Sequence, residues 1–269
     1  MSGATLSGRA ALVTGSVQGI GLAIARSLAA EGARVAVHGL AAPGQAAAVE
    51  AQLRSDGAPD TVFLDADLRD VDAIEAMMAR AAVWGPVDVL VNNAGIQRTA
   101  PLSEATAATW NDILAVNLSA AFHTMRLAMP GMGERGFGRV INIASVHGLV
   151  ASRDKSPYVA SKFGLVGLSK VAALEYAACG SRETGGVTVN CICPGWTETA
   201  IIGPQVDARA AAHGGDRDAG IASLLSEKQP SRRTSDPAEI GALAVWLCQR
   251  PAHNVTGTAI PVDGGWTAQ

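Results

Sequence analysis

Positive charge is scarce in this chain. Lysine and arginine number 21 against 24 aspartates and glutamates, a net charge of -3. No basic field therefore points to nucleic acid. Long apolar runs are missing as well: no stretch of about 18 apolar residues is available to span a bilayer. Met1 to Arg9 lacks the charged-then-apolar pattern of a secretory signal, so a cytoplasmic location is expected. Cysteine is limited to Cys179, Cys191, Cys193 and Cys248, at no metal-ligand spacing. Cys191 and Cys193 fall two apart in a run that reads as a strand, on one face. Buried, reduced thiols are expected there, not a metal or redox centre. Aromatic residues are few, while alanine, glycine and valine are abundant, which suits close packing of helices on a sheet. Hydrophobic residues make up 48% of the 269 positions, enough for a sizeable core.

What is present is alternation. Arg9 to Thr14 reads as a buried parallel strand closed by Gly15. The helix after it carries Ile20, Ala23, Ile24 and Leu28 on one side. Further strands are expected at Val35 to Val37, Thr61 to Leu64, Val87 to Val91, Gly138 to Ile143, Val187 to Cys193 and Ala259 to Val262. Helices are expected over Pro43 to Ser55, Val71 to Trp84 and Ala107 to Met129. Two more run from Ser156 to near Ala178 and from the Asp236 cap, with Pro237 behind it, to Cys248. Such alternation predicts an α/β protein: one domain over 1–269, a doubly wound parallel sheet of Rossmann type with helices on both faces. Trp196 to Arg233 interrupts the pattern. It is long, polar and irregular, with Gly214-Gly215 inside it. It follows the carboxyl end of a strand, where such sheets bind ligands. It is expected to be a substrate lid with a short helix near Ile221 to Ser226.

Ser156-Pro157-Tyr158-Val159-Ala160-Ser161-Lys162 opens a helix, with Ser156 as its cap and Pro157 at its first position. Tyr158 and Lys162 are four apart and share a face. A free phenol titrates near ~10, too high for a base at neutral pH. A nearby cation favours the phenolate, so the pair is a candidate proton shuttle for an alcohol or carbonyl. A second constellation is Gly15, Gly19 and Gly21 between strand and helix. These glycines allow a tight turn and close approach of a pyrophosphate to a helix N-terminus. The spacing is G-x-x-x-G-x-G, not the G-x-G-x-x-G of the usual dinucleotide turn.

Taken in order along the chain, these features resemble the short-chain dehydrogenase/reductase family. Thr14 to Gly21, including Ser16, Gln18 and Ile20, resembles its cofactor turn. Asp67, followed by Leu68, resembles its adenine-contacting acid. Asn92-Asn93-Ala94-Gly95 resembles its N-N-A-G element, and Pro194-Gly195 its P-G turn. Asn117, Ser145, Tyr158 and Lys162 fall where the family's catalytic tetrad falls. The resemblance implies that Ser145 donates to a substrate carbonyl and Tyr158 carries the hydroxyl proton. It also implies that Lys162 lowers the Tyr158 pKa and holds the nicotinamide ribose. Asn117 would hold a water of a proton relay through its backbone position.

The end of the second strand decides the cofactor. An acid there would bind a 2′-hydroxyl, but the position holds Gly39. No arginine or lysine occurs from Ser16 to Gln18 or from His38 to Gly44, so a 2′-phosphate would lack its usual cation. NAD is the expected cofactor.

Gln97, His147, Lys155, Trp196, Gln205 and Trp266 surround the tetrad in sequence. With Ser145 and Tyr158 they would put several donors and two aromatic walls around a small pocket, which suits a short anion. This set, with Asn142 to Ser152, Leu225 to Pro230 and Val262 to Thr267, resembles the 3-hydroxybutyrate dehydrogenase branch of the family. That resemblance implies reversible, NAD-dependent oxidation of D-3-hydroxybutyrate to acetoacetate by a homotetramer, with no metal, membrane or nucleic-acid partner. Ala177 to Gly186 looks longer than usual there, and Ala200 stands where proline is common. A 3-oxoacyl-thioester or polyol reductase of the same family is the competing enzyme reading, and would use NADPH in an open apolar groove. A cofactor-binding regulator without turnover is the third, and the complete tetrad argues against it.

Overall fold

The computed structural model describes residues 5–268. Its first half runs β1 (Ala10–Val13), α1 (Gly19–Ala30), β2 (Arg34–His38), α2 (Gln45–Asp56), β3 (Thr61–Leu64), α3 (Val71–Trp84) and β4 (Val89–Asn92). The second half runs α4 (Ala107–Leu114), α5 (Ala120–Arg135), β5 (Phe137–Ile143), α6 (Ser156–Tyr176) and β6 (Gly186–Pro194). It continues with α7 (Gly203–Ala211), α8 (Arg217–Lys228), α9 (Pro237–Cys248) and β7 (Ala259–Val262). The strands form one parallel seven-stranded sheet in the order β3-β2-β1-β4-β5-β6-β7. The order reverses between β1 and β4, which opens a crevice at the carboxyl ends of those strands.

Both faces of the sheet are covered, which is why its strands read as continuous apolar runs. In β1, Ala11 and Val13 pack with α1, α2 and α9 on one face. Leu12 between them packs with α3, α5 and α6 on the other. Cys191 and Cys193 share a third buried cluster with Leu165 and Val166 of α6 and remain free thiols. Asp236 caps α9 in a reciprocal box with Glu239, so its start agrees with the sequence pattern.

Buried polar residues of β4, β5 and β6 tie α6, the helix that carries Tyr158 and Lys162, to the strands. Asn92 Nδ2 donates to Asn142 Oδ1 at 2.8 Å across adjacent β4 and β5. Asn142 Nδ2 donates to Ser169 Oγ of α6 at 2.7 Å. The Cys191 thiol donates to the same oxygen at 3.0 Å. Unmet buried polar groups are costly, so this chain of bonds sets the height of α6 against the sheet.

Three local expectations are corrected. The helix expected over Ala107 to Met129 is two helices, joined by a π-helical turn at Ala115–Ser119 in which Ala120 N–H donates to Ala115 O. Periodicity of about 3.6 residues does not reveal one inserted residue. Ser156 is not a cap: it lies inside α6, its hydroxyl makes no hydrogen bond, and Lys155 precedes the helix. The lid region is not irregular. It is a helical hairpin of α7 and α8, and Gly220 brings them so close that an added Cβ would lie 2.8 Å from Ala210 N. The helix expected at Ile221 to Ser226 is the core of α8, and α7 was not foreseen because its short span is alanine-rich and polar. The longer segment at 177–186 is largely an exposed turn between α6 and β6.

The hairpin turns at His213 to Asp216, where Gly214 and Gly215 have φ of 68° and 91° and nothing within 4 Å of an added Cβ. Limited proteolysis should therefore cut there first, and mass analysis of the fragments should find both termini of the cut between 210 and 218. A first cut within 177–186 would show that the lid turn is the better protected of the two.

Candidate active site

The turn after β1 is built by its neighbours. Thr14 Oγ1 accepts from Asn93 N–H and Ala94 N–H at 3.0 and 3.1 Å. Asn93 Nδ2 donates to Thr14 O and Gly15 O at 2.9 and 3.0 Å. Gly15 has φ of 62°, and a Cβ there would lie 2.8 Å from Ala94 Cα. At Gly21 it would lie 2.3 Å from both Asn93 Nδ2 and Gly15 O. Glycine is required at both places by close approach. No side chain caps the N-terminus of α1, so its amides are available to an anion.

Above this turn lies an elongated cavity of about 820 Å³. At one end are Gly39, Asp67 and Leu68, and at the other are Ser145, Tyr158 and Trp266. Gln18, Gly19, Ile20, Ala94, Gly95, Pro194 and Gly195 line its floor. Ser16 and Gly21 do not reach it. Ser16 is fully buried, with its hydroxyl donating to Val13 O at 2.7 Å, and Gly21 lies under Asn93. The cavity's volume, the glycine turn and the uncapped helix fit a dinucleotide.

His38 beside Gly39 is buried and doubly bonded. Gly15 N–H donates to its Nδ1 at 3.2 Å, so Nδ1 is the acceptor, and Nε2 donates to Ala66 O at 3.1 Å. Burial lowers its pKa, and the ring is neutral. Two arginines outside Ser16 to Gln18 and His38 to Gly44 line the cavity, Arg98 and, beside Asp67, Arg69. Arg69 is held by Asp67 at 2.5 Å, and the same bonds depress the Asp67 carboxyl to about 2. Its position two residues after the acid was the available signal.

At the other end, Ser145 follows β5, and α6 brings Tyr158 and Lys162 beside it. Burial raises the Tyr158 pKa, and the neighbouring Ser145 hydroxyl works against that rise. Lys162, expected to lower this pKa, stands near the outer limit of the range over which a charge does so. The Lys162 ammonium donates to Ile143 O at 2.8 Å and lies 5.7 Å from the tyrosine ring centroid. It is itself desolvated, and its pKa falls to about 8. Asn117 lies in the π turn, 2% exposed, off the main cavity. Its amide clasps the backbone of Ile96, accepting at 2.8 Å and donating at 2.9 Å.

The residues expected around the substrate converge. Gln97, His147, Lys155, Trp196, Gln205 and Trp266 all line the cavity. Lys155 Nζ donates to Gln205 Oε1 at 3.2 Å and faces His147 Nε2 at 3.5 Å. His147 Nδ1 lies 3.3 Å from Val150 O, which can only accept, so Nδ1 carries the proton and Nε2 is the acceptor. Burial and the Lys155 charge push His147 down to about 4. His147 therefore orients Lys155 rather than offering a donor of its own. Lys155 is 8% exposed, and burial together with Lys228 lowers its pKa to about 8. With two N–H groups engaged, the third is free for an anion. The Trp196 and Trp266 rings stand 5.7 Å apart and His147 and Trp266 5.5 Å apart, closing one wall.

Among the described residues no group of His, Cys, Asp and Glu could hold a metal, and no helix is long and apolar enough to cross a membrane.

Residues 9–210 match the short chain dehydrogenase family. The chain is similar to the D-beta-hydroxybutyrate dehydrogenase of Cupriavidus necator, 47% identical over 266 residues, or 98% of this chain and 100% of that one. It is similar to the D-beta-hydroxybutyrate dehydrogenase of Rhizobium meliloti at 41% identity over 262 residues, 97% and 99% of the two chains. Among solved structures it superposes on the L-sorbose reductase of Gluconobacter frateurii, complexed with NADPH and L-sorbose. The TM-score is 0.90 at 28% identity, covering 99% of each chain.

Proposed function

The chain belongs to the short chain dehydrogenase family and is an oxidoreductase of nicotinamide type, and on that premise we propose that it oxidises D-3-hydroxybutyrate reversibly to acetoacetate with NAD. The observation that carries the substrate is Lys155. It is a buried ammonium with a free N–H, oriented by His147 and Gln205, in the cavity that Ser145 and Tyr158 share. A charge-assisted bond to a carboxylate satisfies both its N–H and its charge; a polyol hydroxyl or a thioester carbonyl accepts the N–H but leaves the charge without a counter-ion. Trp196 and Trp266 restrict the methyl end to a short chain.

The glycine turn, the α1 amides and Lys162 would hold the cofactor, which when bound accepts the hydride. Ser145 and Tyr158 orient the carbinol by hydrogen bonds to its oxygen. Tyr158 takes the hydroxyl proton during oxidation and returns it during reduction. Burial keeps the phenol neutral, the form that gives its proton during reduction, and the Lys162 charge 5.7 Å from the ring would favour the phenolate formed when the proton leaves. Asn117 supports the relay through its backbone, which the π turn exposes differently from a regular helix. Domain 1–269 acts as one unit, with 196–233 as its lid over the substrate. Exposed Trp110, Phe122, Leu127 and Phe163 on α4, α5 and α6 support a homotetramer, and the free thiols support a cytoplasmic setting.

Tyr158→Phe should lower kcat by roughly 10²–10⁴-fold while cofactor still binds, as read by fluorescence titration. Lys162→Ala should weaken both. A near-normal rate in Tyr158→Phe would remove it as the proton carrier.

NAD should be preferred over NADP by roughly a hundredfold in kcat/KM. His38 is neutral, Gly39 has no side chain to meet a phosphate, and Arg69 is engaged by Asp67. Equal or better efficiency with NADP would return the chain to the reductase reading.

Lys155→Ala should cost roughly tenfold to a hundredfold in kcat/KM for the acid and little for its methyl ester. Lys155 is charged below about pH 8 and neutral above it. KM for the acid should therefore rise as pH passes through that value, and KM for the ester should not. Equal losses for acid and ester would refute carboxylate recognition by Lys155.

A further inference from the structure

Lys228 is the last residue of α8. Its ammonium leaves the lid and donates to Ser152 Oγ at 2.7 Å. It also lies 5.6 Å from the centroid of the Trp266 ring. It is not part of the cavity wall. One side chain thus joins the returning limb of the lid, the segment between Ser145 and α6, and the C-terminal turn. The next residue secures the same junction: Gln229, 2% exposed, accepts Trp196 N–H at 3.1 Å.

Neither Lys155 nor Lys228 forms an ion pair with Asp or Glu among the described residues; Glu227 beside Lys228 pairs instead with Arg209. Two ammonium groups therefore act on one pocket without a counter-ion. Like charges held near each other repel. The arrangement is unfavourable until an anion arrives, and a neutral substrate gains nothing from it.

We propose that Lys228 is a specificity-determining residue of the substrate pocket. It latches α8 to Ser152 and, beside the Trp266 ring that lines the pocket, supplies a second positive charge that selects a carboxylate over a neutral group. The proposal rests on the 3-hydroxy acid reading and assigns a residue to it that does not touch the substrate. The Lys228 charge also contributes to the lowered pKa values of Lys155 and His147. Lys155 is faced by His147 from the turn after β5, by Gln205 from α7, by the Trp196 ring and by the charge of Lys228 from α8. Tyr158 and Lys162 of α6 line the same cavity.

The test compares the acid and its methyl ester from neutral to alkaline pH in wild type, Lys228→Met, Lys228→Arg and Ser152→Ala. Lys228→Met keeps the aliphatic stem and removes the charge. Its acid-to-ester preference in kcat/KM should fall about tenfold, mainly through KM. The pH at which KM for the acid rises should move upward, because Lys155 no longer feels a second cation. Lys228→Arg should keep both preference and midpoint. Ser152→Ala, which removes only the acceptor, should keep the midpoint and most of the preference. Equal losses for acid and ester in Lys228→Met with an unmoved midpoint would mean a packing role and overturn the proposal. Loss of the preference in Lys228→Arg would overturn it too, and remains readable if the Met variant does not fold. A wild type that shows no preference for the acid would overturn the 3-hydroxy acid reading itself, whereas an acid preference undiminished in Lys228→Met would sink only the role of Lys228.

Discussion

A buried cation without a carboxylate is the constraint on which this site depends. Lys162 is 3% exposed, and its ammonium is held by the Ile143 carbonyl at 2.8 Å. Lys155 is met by an imidazole nitrogen and an amide oxygen. Dipoles of this kind partly offset desolvation and leave net charge behind. The lowered pKa values of both lysines express that residue of unmet charge. A ligand carrying negative charge or oxygen acceptors completes the balance, so binding and electrostatics are the same event here. Arg139 is the instructive contrast. It is 1% exposed and also lacks a carboxylate, but the carbonyls of Gly138, Gly185 and Gly186 surround it, and Phe137 stacks on it. Three of its contacts are backbone carbonyls, so its role is architectural.

The candidate catalytic groups hold their positions because polar staples connect elements far apart in the chain. Asn93 binds the β1 turn to β4, and the Asn92–Asn142–Ser169 line binds β4 and β5 to α6. Such bonds contribute little net stability individually but are expensive to leave unmade. They therefore favour one register over its neighbours. Ser145, just past β5, and Tyr158 on α6 inherit their mutual position from that register. The lid is attached differently. Its base is pinned by Gln229 to Trp196 and by a bridge between Thr197 and Ser235, while its tip at Gly214-Gly215 is free of close neighbours. A stiff base and an open tip suit a segment that closes over substrate.

The alternation of apolar strands and periodic helices was enough to read an α/β sheet, and Thr61–Leu64, Val71–Trp84 and Ala259–Val262 have the bounds their sequence pattern implies. What was illegible has physical reasons. A π turn adds one residue to a helix without disturbing its composition, so Ala107 to Met129 looked continuous. The α7 helix has no sustained apolar stripe, because only Val206 and Ala210 are buried and α8 supplies their contact. Arg69 pairs with an acid two residues away, and its place on the cavity wall follows from how the turn after β3 folds against the first two loops.

Residue spacing alone determined which chemistry the chain carries: a phenol and an ammonium one helical turn apart, glycines where a pyrophosphate would approach, and no acid at Gly39. These are local facts, set by rise and rotation along a helix or by the absence of a side chain. The tertiary structure decided how the groups are tuned. Tyr158 and Lys162 share a helix face as their spacing requires, but burial raises one pKa and lowers the other, and Ile143 rather than the phenol receives the ammonium. His147 looked like a donor in sequence and is an acceptor in space, because Val150 takes its only proton. Lys228 lies more than seventy residues from Ser152 and reaches it only when the lid folds back. Desolvation and proton placement depend on every neighbour in three dimensions, and no spacing along the chain encodes them.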